Sequence, residues 1–373
     1  MKDIEITSPM PCKGTRLETV NTVPNFFILE NQVSSYTTMD KNLAIGLIVI
    51  ILVVLAGGGA WYLQYVQQSP HPRLTNITID PGHTASSTLL MIAKDQGYFV
   101  QHGLYVTFVE SPSASFAIQN LLDNKNDFGF LHEFSISDPV LYNKTVRVIG
   151  TLSNSDVDYL VARKDRGITR PQDLLGKRIG VTKGSNREYF LDRFFVLNGL
   201  SMDNATIVDF QPAPLVDAVA RGDVDAACSA EPYVYQMRQK MGENAVVWPV
   251  NLGQHAQYSL VCTESTLREH PDIVQGLLAA VLQAENYINS HPEEAKKIAR
   301  KQTNFDERYM EKDWGNHRFS VGISQSLITS MEDETRWRIR HNLTDAADVP
   351  DFSQYIAADI LKRLKPAAVT IIQ

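Results

Sequence analysis

The chain has 373 residues, 44% of them apolar and 21% charged, which excludes global disorder and exceeds one ordinary core. A balance of 35 Lys and Arg against 42 Asp and Glu leaves a net charge of −7 with no block of like charge, which argues against a nucleic-acid surface. The three cysteines, Cys12, Cys228 and Cys262, are too few and too scattered for a metal cluster or a disulfide framework; Cys228 and Cys262 read as buried thiols in apolar runs.

Residues 1–42 form a tail without strong periodicity, in which Met39-Asp40-Lys41-Asn42 reads as an alternative start. Leu43–Trp61 is a stretch of 19 residues without a charge, about 28 Å as a helix, roughly the hydrocarbon core of a bilayer. Residues 43–63 are therefore predicted to be a single-pass transmembrane anchor. The alternative is a secretory signal cleaved near Gly58-Gly59-Ala60, which leaves a secreted form. Lys41 before the span and Arg73 as the next Lys or Arg after it favour an extracellular or periplasmic bulk at the cell membrane. No cysteine follows the apolar run, so a lipid anchor is excluded. Asn-x-Thr sequons at Asn76, Asn143, Asn204 and Asn342 permit an outside location. Residues 64–75, polar and with two prolines, read as a stalk.

From Asn76 onward strand-like and helix-like segments alternate, the pattern of an α/β protein with mostly parallel sheets. Asn76–Asp80 is a predicted strand and Ser87–Phe99 a helix closed by Gly103-Leu104. Tyr105–Glu110 is a second strand, Ser113–Asp123 a helix with Phe116, Ile118, Leu121 and Leu122 inward, and Asp127–Phe130 a third strand. The same order recurs: strand Arg178–Thr182, helix Ser185–Leu197 closed by Gly199-Leu200, strand Thr206–Phe210, helix Pro214–Ala220. Matching positions (Gly103 and Gly199, Asp127 and Asp225, Ile77 and Ile179) are offset by 96, 98 and 102 residues, which predicts two similarly built lobes.

Val146–Arg163 reads as the first crossing between lobes and Ala256–Thr263 as the return; helices at Pro271–Ser290, Pro292–Gln302 and Gln325–His341 follow. The expected division is lobe 1 over residues 76–155 and 256–373, and lobe 2 over 156–255.

The segments AKDQGYFVQHGLYVTFVE, LLDNKNDFGF, ITRPQDLLGKRIGV, TKGSNREYFLDRFFVLNGL, AVARGDVDAACSAEPYVYQM and VPDFSQYI, in this order, give the chain from about Asn76 to Gln373 its likeness to known proteins. It resembles the substrate-binding proteins of ABC importers for nitrate, sulfonates and taurine, whose superfamily includes thiamine-pyrimidine-binding proteins. The resemblance implies a two-lobed type II periplasmic-binding-protein fold, a small-molecule ligand in the interlobe cleft, and permease and ATPase subunits as partners. The anchor departs from the family's lipidated cysteine. The cysteine-rich segment of the family's thiamine-pyrimidine-forming enzymes is missing from the sequence.

In open α/β sheets ligands bind beyond the carboxyl ends of strands, where free amides at helix starts favour an anion. Four such places are read here: His83, Thr84 and Ser86; Ser113 and Ser115; His132 and Glu133; Lys183, Ser185, Asn186 and Arg187. Serines and threonines there also serve as helix caps, and Glu188 fits a first-turn dipole role. Asp156 near the first crossing and Glu231-Pro232-Tyr233 at the cleft edge complete the candidate set. Lys183 and Arg187 supply positive charge, while Glu133, Asp156 and Glu231 suit the amine end of a zwitterion. Isolated histidines predict no metal and no cofactor, and no nucleophile elbow, phosphate loop or dinucleotide fingerprint appears, so no catalytic residues are assigned. The expected function is an extracellular receptor closing on a small anionic or zwitterionic solute of the sulfonate, taurine or nitrate type. The alternatives are binding of a thiamine-pyrimidine precursor and an enzyme on the same fold.

Overall fold

The computed structural model describes residues 45–46, 49–55, 57–58, 74–82, 84–141 and 145–372. The tail, most of the stalk, the flanks of the predicted span and the Asn143 sequon lie outside the described residues. Within the predicted span the described residues are helical, with Ile45 and Val49–Leu55 exposed. Among the described residues no helix is long and apolar enough to cross a membrane. The chain divides into two compact units, residues 1–71 and 72–373.

The larger unit starts with β1 (Thr75–Asp80), which leads through a short 3-10 turn into α1 (Thr88–Asp95); Leu89, Leu90, Ile92 and Ala93 are its buried side. Gly97, at φ 71°, interrupts the predicted longer helix in a left-handed conformation that suits a residue without Cβ. β2 (Leu104–Phe108), α2 (Ala114–Leu122), β3 (Phe128–His132), α3 (Glu133–Leu141) and β4 (Val146–Ser155) follow. In α2, Ala117, Ile118 and Leu121 are buried, whereas Phe116 is 58% exposed, correcting the inward reading of that ring. The predicted stripe placed both Phe116 and Ile118 inward, but residues two apart point to nearly opposite sides of a helix, so only one can face the core.

The chain then enters a second sheet: β5 (Asp158–Arg163), β6 (Arg178–Val181), α4 (Asn186–Leu197), β7 (Thr206–Asp209), α5 (Pro212–Arg221), β8 (Ala226–Ala230), α6 (Tyr233–Met241) and β9 (Ala245–Pro249). It returns in β10 (Ala256–Thr263) to α7 (Pro271–Ser290), α8 (Pro292–Thr303), α9 (Glu307–Asp313), β11 (His317–Ser324), α10 (Gln325–Arg340) and β12 (Val369–Thr370). The strand order is β12-β11-β4-β10-β3-β1-β2 in the first sheet and β7-β6-β8-β5-β9 in the second.

Both sheets are mixed, which corrects the expectation of mostly parallel ones. β1 pairs parallel with β2 and β3, and β6 with β7 and β8, as strand–helix–strand connections require. The crossing strands run the other way: β10 is antiparallel to β3 and β4, β11 to β4, and β5 to β8 and β9. The duplication survives in detail, with Gly103 and Gly199 closing equivalent turns at φ 75° and 72°.

One core fills the first sheet's flanks around Ile79, Phe128, Val148, Leu278 and Phe352. The second sheet is covered on one face by Phe190, Phe194 and Phe195 of α4 with Leu160 and Ile179, and on the other by Leu215, Val219, Val234 and Met237. Gly180 sits where α5 presses on β6; a Cβ there collides with Leu215 Cδ1 and lies 3.3 Å from Phe210 Cδ2. Gly180→Ala is expected to destabilise the protein by about 1–3 kcal/mol through overpacking. Thermal unfolding tests this; an unmoved Tm would show that Leu215 swings aside without cost.

Candidate ligand site between the two sheets

The site is built where β3 and β4 of the first sheet meet the start of α4 on the second. Ser185 caps α4, its hydroxyl accepting the Arg187 N–H at 3.2 Å and donating to the Thr182 carbonyl at 2.6 Å. Glu188 accepts the Gly184 N–H at 2.6 Å, the first-turn role expected of it. This leaves Asn186 buried and Arg187 about 29% exposed at the helix mouth. Arg187 Nη1 donates to Asn186 Oδ1 at 3.1 Å, while its Nε, 3.6 Å from Asp158 Oδ1, makes no hydrogen bond. Asn251 Nδ2 lies 3.4 Å from Asp158 Oδ2. Burial raises the Asp158 carboxyl against the opposing pull of Arg187 and Asn251.

From the first sheet, His132 reaches across: its Nε2 lies 3.4 Å from Asn186 Nδ2, and its Nδ1 accepts the Phe134 N–H at 3.0 Å. Burial first, then the charge of Arg187, push its imidazole down to about 3, so the ring is neutral. The Tyr258 ring meets His132 edge-on at 5.2 Å and stacks on Phe130 at 5.7 Å. Its hydroxyl is pushed up by burial, and Asp158, Arg187, Glu133 and Asp313 all act on it, which places that phenol among the charges of the cleft. Glu133 Oε2 accepts the Gln257 N–H at 2.6 Å. Burial and the facing Glu334 raise its carboxyl well above the usual range.

A buried polar chain supports the other wall. Tyr309 Oη donates to Asp313 Oδ2 at 2.8 Å, which lies 2.9 Å from His317 Nε2; His317 Nδ1 lies 2.8 Å from Ser155 Oγ, itself 3.1 Å from Ser86 Oγ. Ser155, His317 and Asp313 thus stand in the order of a nucleophile, a base and an orienting acid. A nucleophile must meet its substrate, however, and Ser155 is fully buried, with its hydroxyl shared with Ser86 and Ser153. The chain is a strut that fixes the turn before α1, where Thr84 Oγ1 accepts the Ser86 N–H at 3.3 Å.

Beside the strut a cavity of about 320 Å³ opens between α6 and α9, lined by Tyr159, Glu231, Tyr235, Arg238, Tyr309, Lys312, Asp313 and Asn316. Its charges are mixed. Glu231 Oε2 accepts the Tyr235 N–H at 2.8 Å; burial pushes its carboxyl up to about 7, against the pull of that bond. Arg238 lies 5.1 Å from the Tyr159 ring centre and Lys312 5.7 Å from that of Tyr235.

Of the sequence-derived candidates, His132, Glu133, Ser185, Asn186 and Arg187 meet at the start of α4, Thr84 and Ser86 lie on the polar strut, and Glu231 lines the cavity. Ser113 and Ser115 are exposed, and Ser113 caps α2 through the Phe116 N–H at 3.5 Å. The Lys183 side chain is exposed, and its amide donates to Asp209 Oδ1 at 3.0 Å. Tyr233 packs on the core between α5 and α6. His83 lies outside the described residues. Asp156 belongs to the crossings: its carboxylate holds His255 Nδ1 at 2.6 Å and Arg318 Nη1 at 3.2 Å. Asp158, Tyr235, Tyr258, Tyr309, Asp313 and His317 were not foreseen. For Asp158 there was a signal, an acid opening the apolar run DYLVAR; for Asp313 and His317, one ending α9 and the other opening β11, there was none in the local pattern.

The NMT1/THI5-like family profile matches residues 84–295, more than half of the chain, from the turn before α1 to the start of α8. The chain belongs to this family. It is 28% identical over 320 residues, 82% of its length and 93% of the other's, to a Bacillus subtilis chain named as a candidate aliphatic sulfonates-binding protein. With the taurine-binding periplasmic protein of Escherichia coli it shares 30% identity over 159 residues, 40% of this chain and 48% of that one. An enzyme, the 4-amino-5-hydroxymethyl-2-methylpyrimidine phosphate synthase of Aspergillus parasiticus, is 28% identical over 233 residues, 59% and 66% of the two chains. The crystal structure of the periplasmic aliphatic sulphonate binding protein SsuA from Escherichia coli aligns at TM-score 0.65 and 16% identity, covering 75% of this chain and 97% of that one. The family's periplasmic-binding-protein fold is therefore shared.

Proposed function

We propose that this protein is the solute receptor of an ABC importer, closing around a small sulfonate-type zwitterion and releasing it unchanged to a permease and its ATPase. The observation that carries the reading is Arg187: a partly exposed guanidinium at a helix start, whose charge acts on the histidine and tyrosine of the other sheet. A sulfonate there takes charge-assisted bonds from Arg187 and the helix's free amides. The carboxylates of Glu231 and Asp313 suit an ammonium at the other end of the ligand, and this favours a taurine-like zwitterion over a simple anion. The relatives named for sulfonate and taurine binding support the same class.

In this reading residues 76–155 with 256–373 form one lobe and residues 156–255 the other. They turn about the crossings near Ser153–Asp158 and Gly253–Tyr258. Leu43–Trp61 anchors the receptor to the cell membrane with the lobes outside. Ligand-binding roles for His83, Ser113, Ser115, Lys183 and Tyr233 belong to the same proposal.

The test is calorimetric titration of the full-length protein with taurine and with an unsubstituted alkanesulfonate. For the zwitterion, affinity is expected to fall as pH drops below about 7, because Glu231 then takes up a proton and loses its hold on the ammonium. A plain alkanesulfonate should show the opposite trend, as protonation removes a repelling charge. Glu231→Gln should flatten both profiles. In the empty protein the sign is also set: a folded value raised above the ordinary 4.5 means that the contribution of Glu231 to stability is complete below 4.5 and is lost as pH rises through about 7. Unchanged affinities across this range would remove Glu231 from the site.

A further inference from the structure

Behind the cleft wall, His132, Glu133 and Glu334 bring three metal-ligating atoms within 4.8 Å of one another, and all three residues are buried. They come from three elements: His132 ends β3, Glu133 opens α3 and Glu334 lies in the third turn of α10. Glu133 Oε2 is 3.2 Å from His132 Nδ1, a spacing suited to two ligands on one small ion. Glu133 Oε1 and both carboxylate oxygens of Glu334 are buried without a hydrogen-bond partner. The neighbouring Arg338 donates to Asp138 Oδ1 and to the Phe134 carbonyl, each at 2.7 Å; its charge pulls on the Glu334 carboxyl without hydrogen-bonding it.

Two facing carboxylates with three unsatisfied oxygens in a dry interior are strongly unfavourable unless a positive centre joins them. We propose that His132, Glu133 and Glu334 form a divalent-cation site that clasps α10 to the end of β3. One imidazole and two carboxylates are a donor set for Zn²⁺, a borderline ion, or for Mn²⁺, which favours the oxygens. Ca²⁺ asks for six to eight oxygens and Mg²⁺ for an octahedron with several waters. The ion takes the Nδ1 lone pair that now accepts the Phe134 N–H. With Nδ1 on the metal, Nε2 keeps the ring's proton on the side that faces the start of α4. The clasp therefore also sets what His132 offers a ligand, while its existence does not depend on which solute binds.

The experiment uses the full-length protein, stripped with EDTA and reloaded with Zn²⁺ or Mn²⁺, with metal content measured by plasma mass spectrometry. About one ion per chain is expected, together with a rise in Tm of roughly 5 °C at saturating metal. Glu334→Gln should lose both the ion and the shift. Because that variant also changes a buried charge, Co²⁺ substitution in the unmutated protein gives an independent reading: visible d–d bands of a low-coordinate site with a nitrogen donor are expected. Failure of the unmutated protein to retain Zn²⁺ or Mn²⁺, with a Tm indifferent to both, would overturn the proposal. A proton shared by the two carboxylates would then be the positive centre. Taurine titration of the stripped protein separates this result from the receptor reading.

Discussion

Replacing Arg187 with alanine is expected to weaken sulfonate binding by roughly ten- to a hundred-fold. A hydrogen bond to a charged group contributes about 1.5–3 kcal/mol, and each 1.4 kcal/mol is tenfold in affinity. Arg187 has donors for such a bond, since its side chain is partly exposed and its one side-chain hydrogen bond, from Nη1, goes to Asn186. The substitution also strands Asp158, which is 1% exposed. Breaking a buried pair costs about 3–5 kcal/mol; here the figure should be lower, because water reaches Arg187 and its contact with Asp158 is a long 3.6 Å. Arg187→Lys separates the two effects, keeping a charge near Asp158 while losing the planar fork that matches a sulfonate. Binding to the unmutated protein should weaken modestly with added salt. Titration showing equal affinity in Arg187→Ala and the unmutated protein would remove the guanidinium from the ligand site.

The largest loss of stability is expected from Trp337→Ala, about 3–5 kcal/mol. Trp337, on α10, is 1% exposed. Its ring lies 6.2 Å from that of Phe134 on α3, 5.7 Å from Tyr189 on α4 and 4.8 Å from His341, and its Nε1 donates to Asp192 at 2.9 Å. Truncation opens a void among three aromatic rings and removes a donor from the half-buried Asp192 carboxylate. The control is Phe116→Ala: that ring is mostly in water, and a change within about 0.5 kcal/mol is expected. Chemical denaturation of both variants checks the pair; equal midpoints would mean that the aromatic cluster does not hold α10 in place.

Much of the fold is legible in the chain because its signals are local. Ser113 and Ser185 cap the helices that their positions announce, Pro271 opens α7, and Gly103 and Gly199 mark the repeat. Strand direction is not local, and this is why the mixed sheets were missed: β10 and β4 pair across a hundred residues with nothing in either sequence to state their sense. The candidate site divides in the same way. Arg187 and Glu231 stand at helix starts that periodicity locates. Ser86 and His317 meet from 231 positions apart, and Glu334 reaches Glu133 only because α10 folds back on α3. An acid inside a long amphipathic helix reads as one more solvated charge until its neighbours are known.

The Asp156 clasp has a mechanical consequence. It lies on one connecting passage, His255 on the other, and Arg318 on the strand beside them. Two ribbons pinned together at one point resist shearing past each other but still flex as a pair. In the proposed receptor, this pin would channel motion between the halves into a single swing about one axis, bringing the rim residues opposite the same partners at each closure.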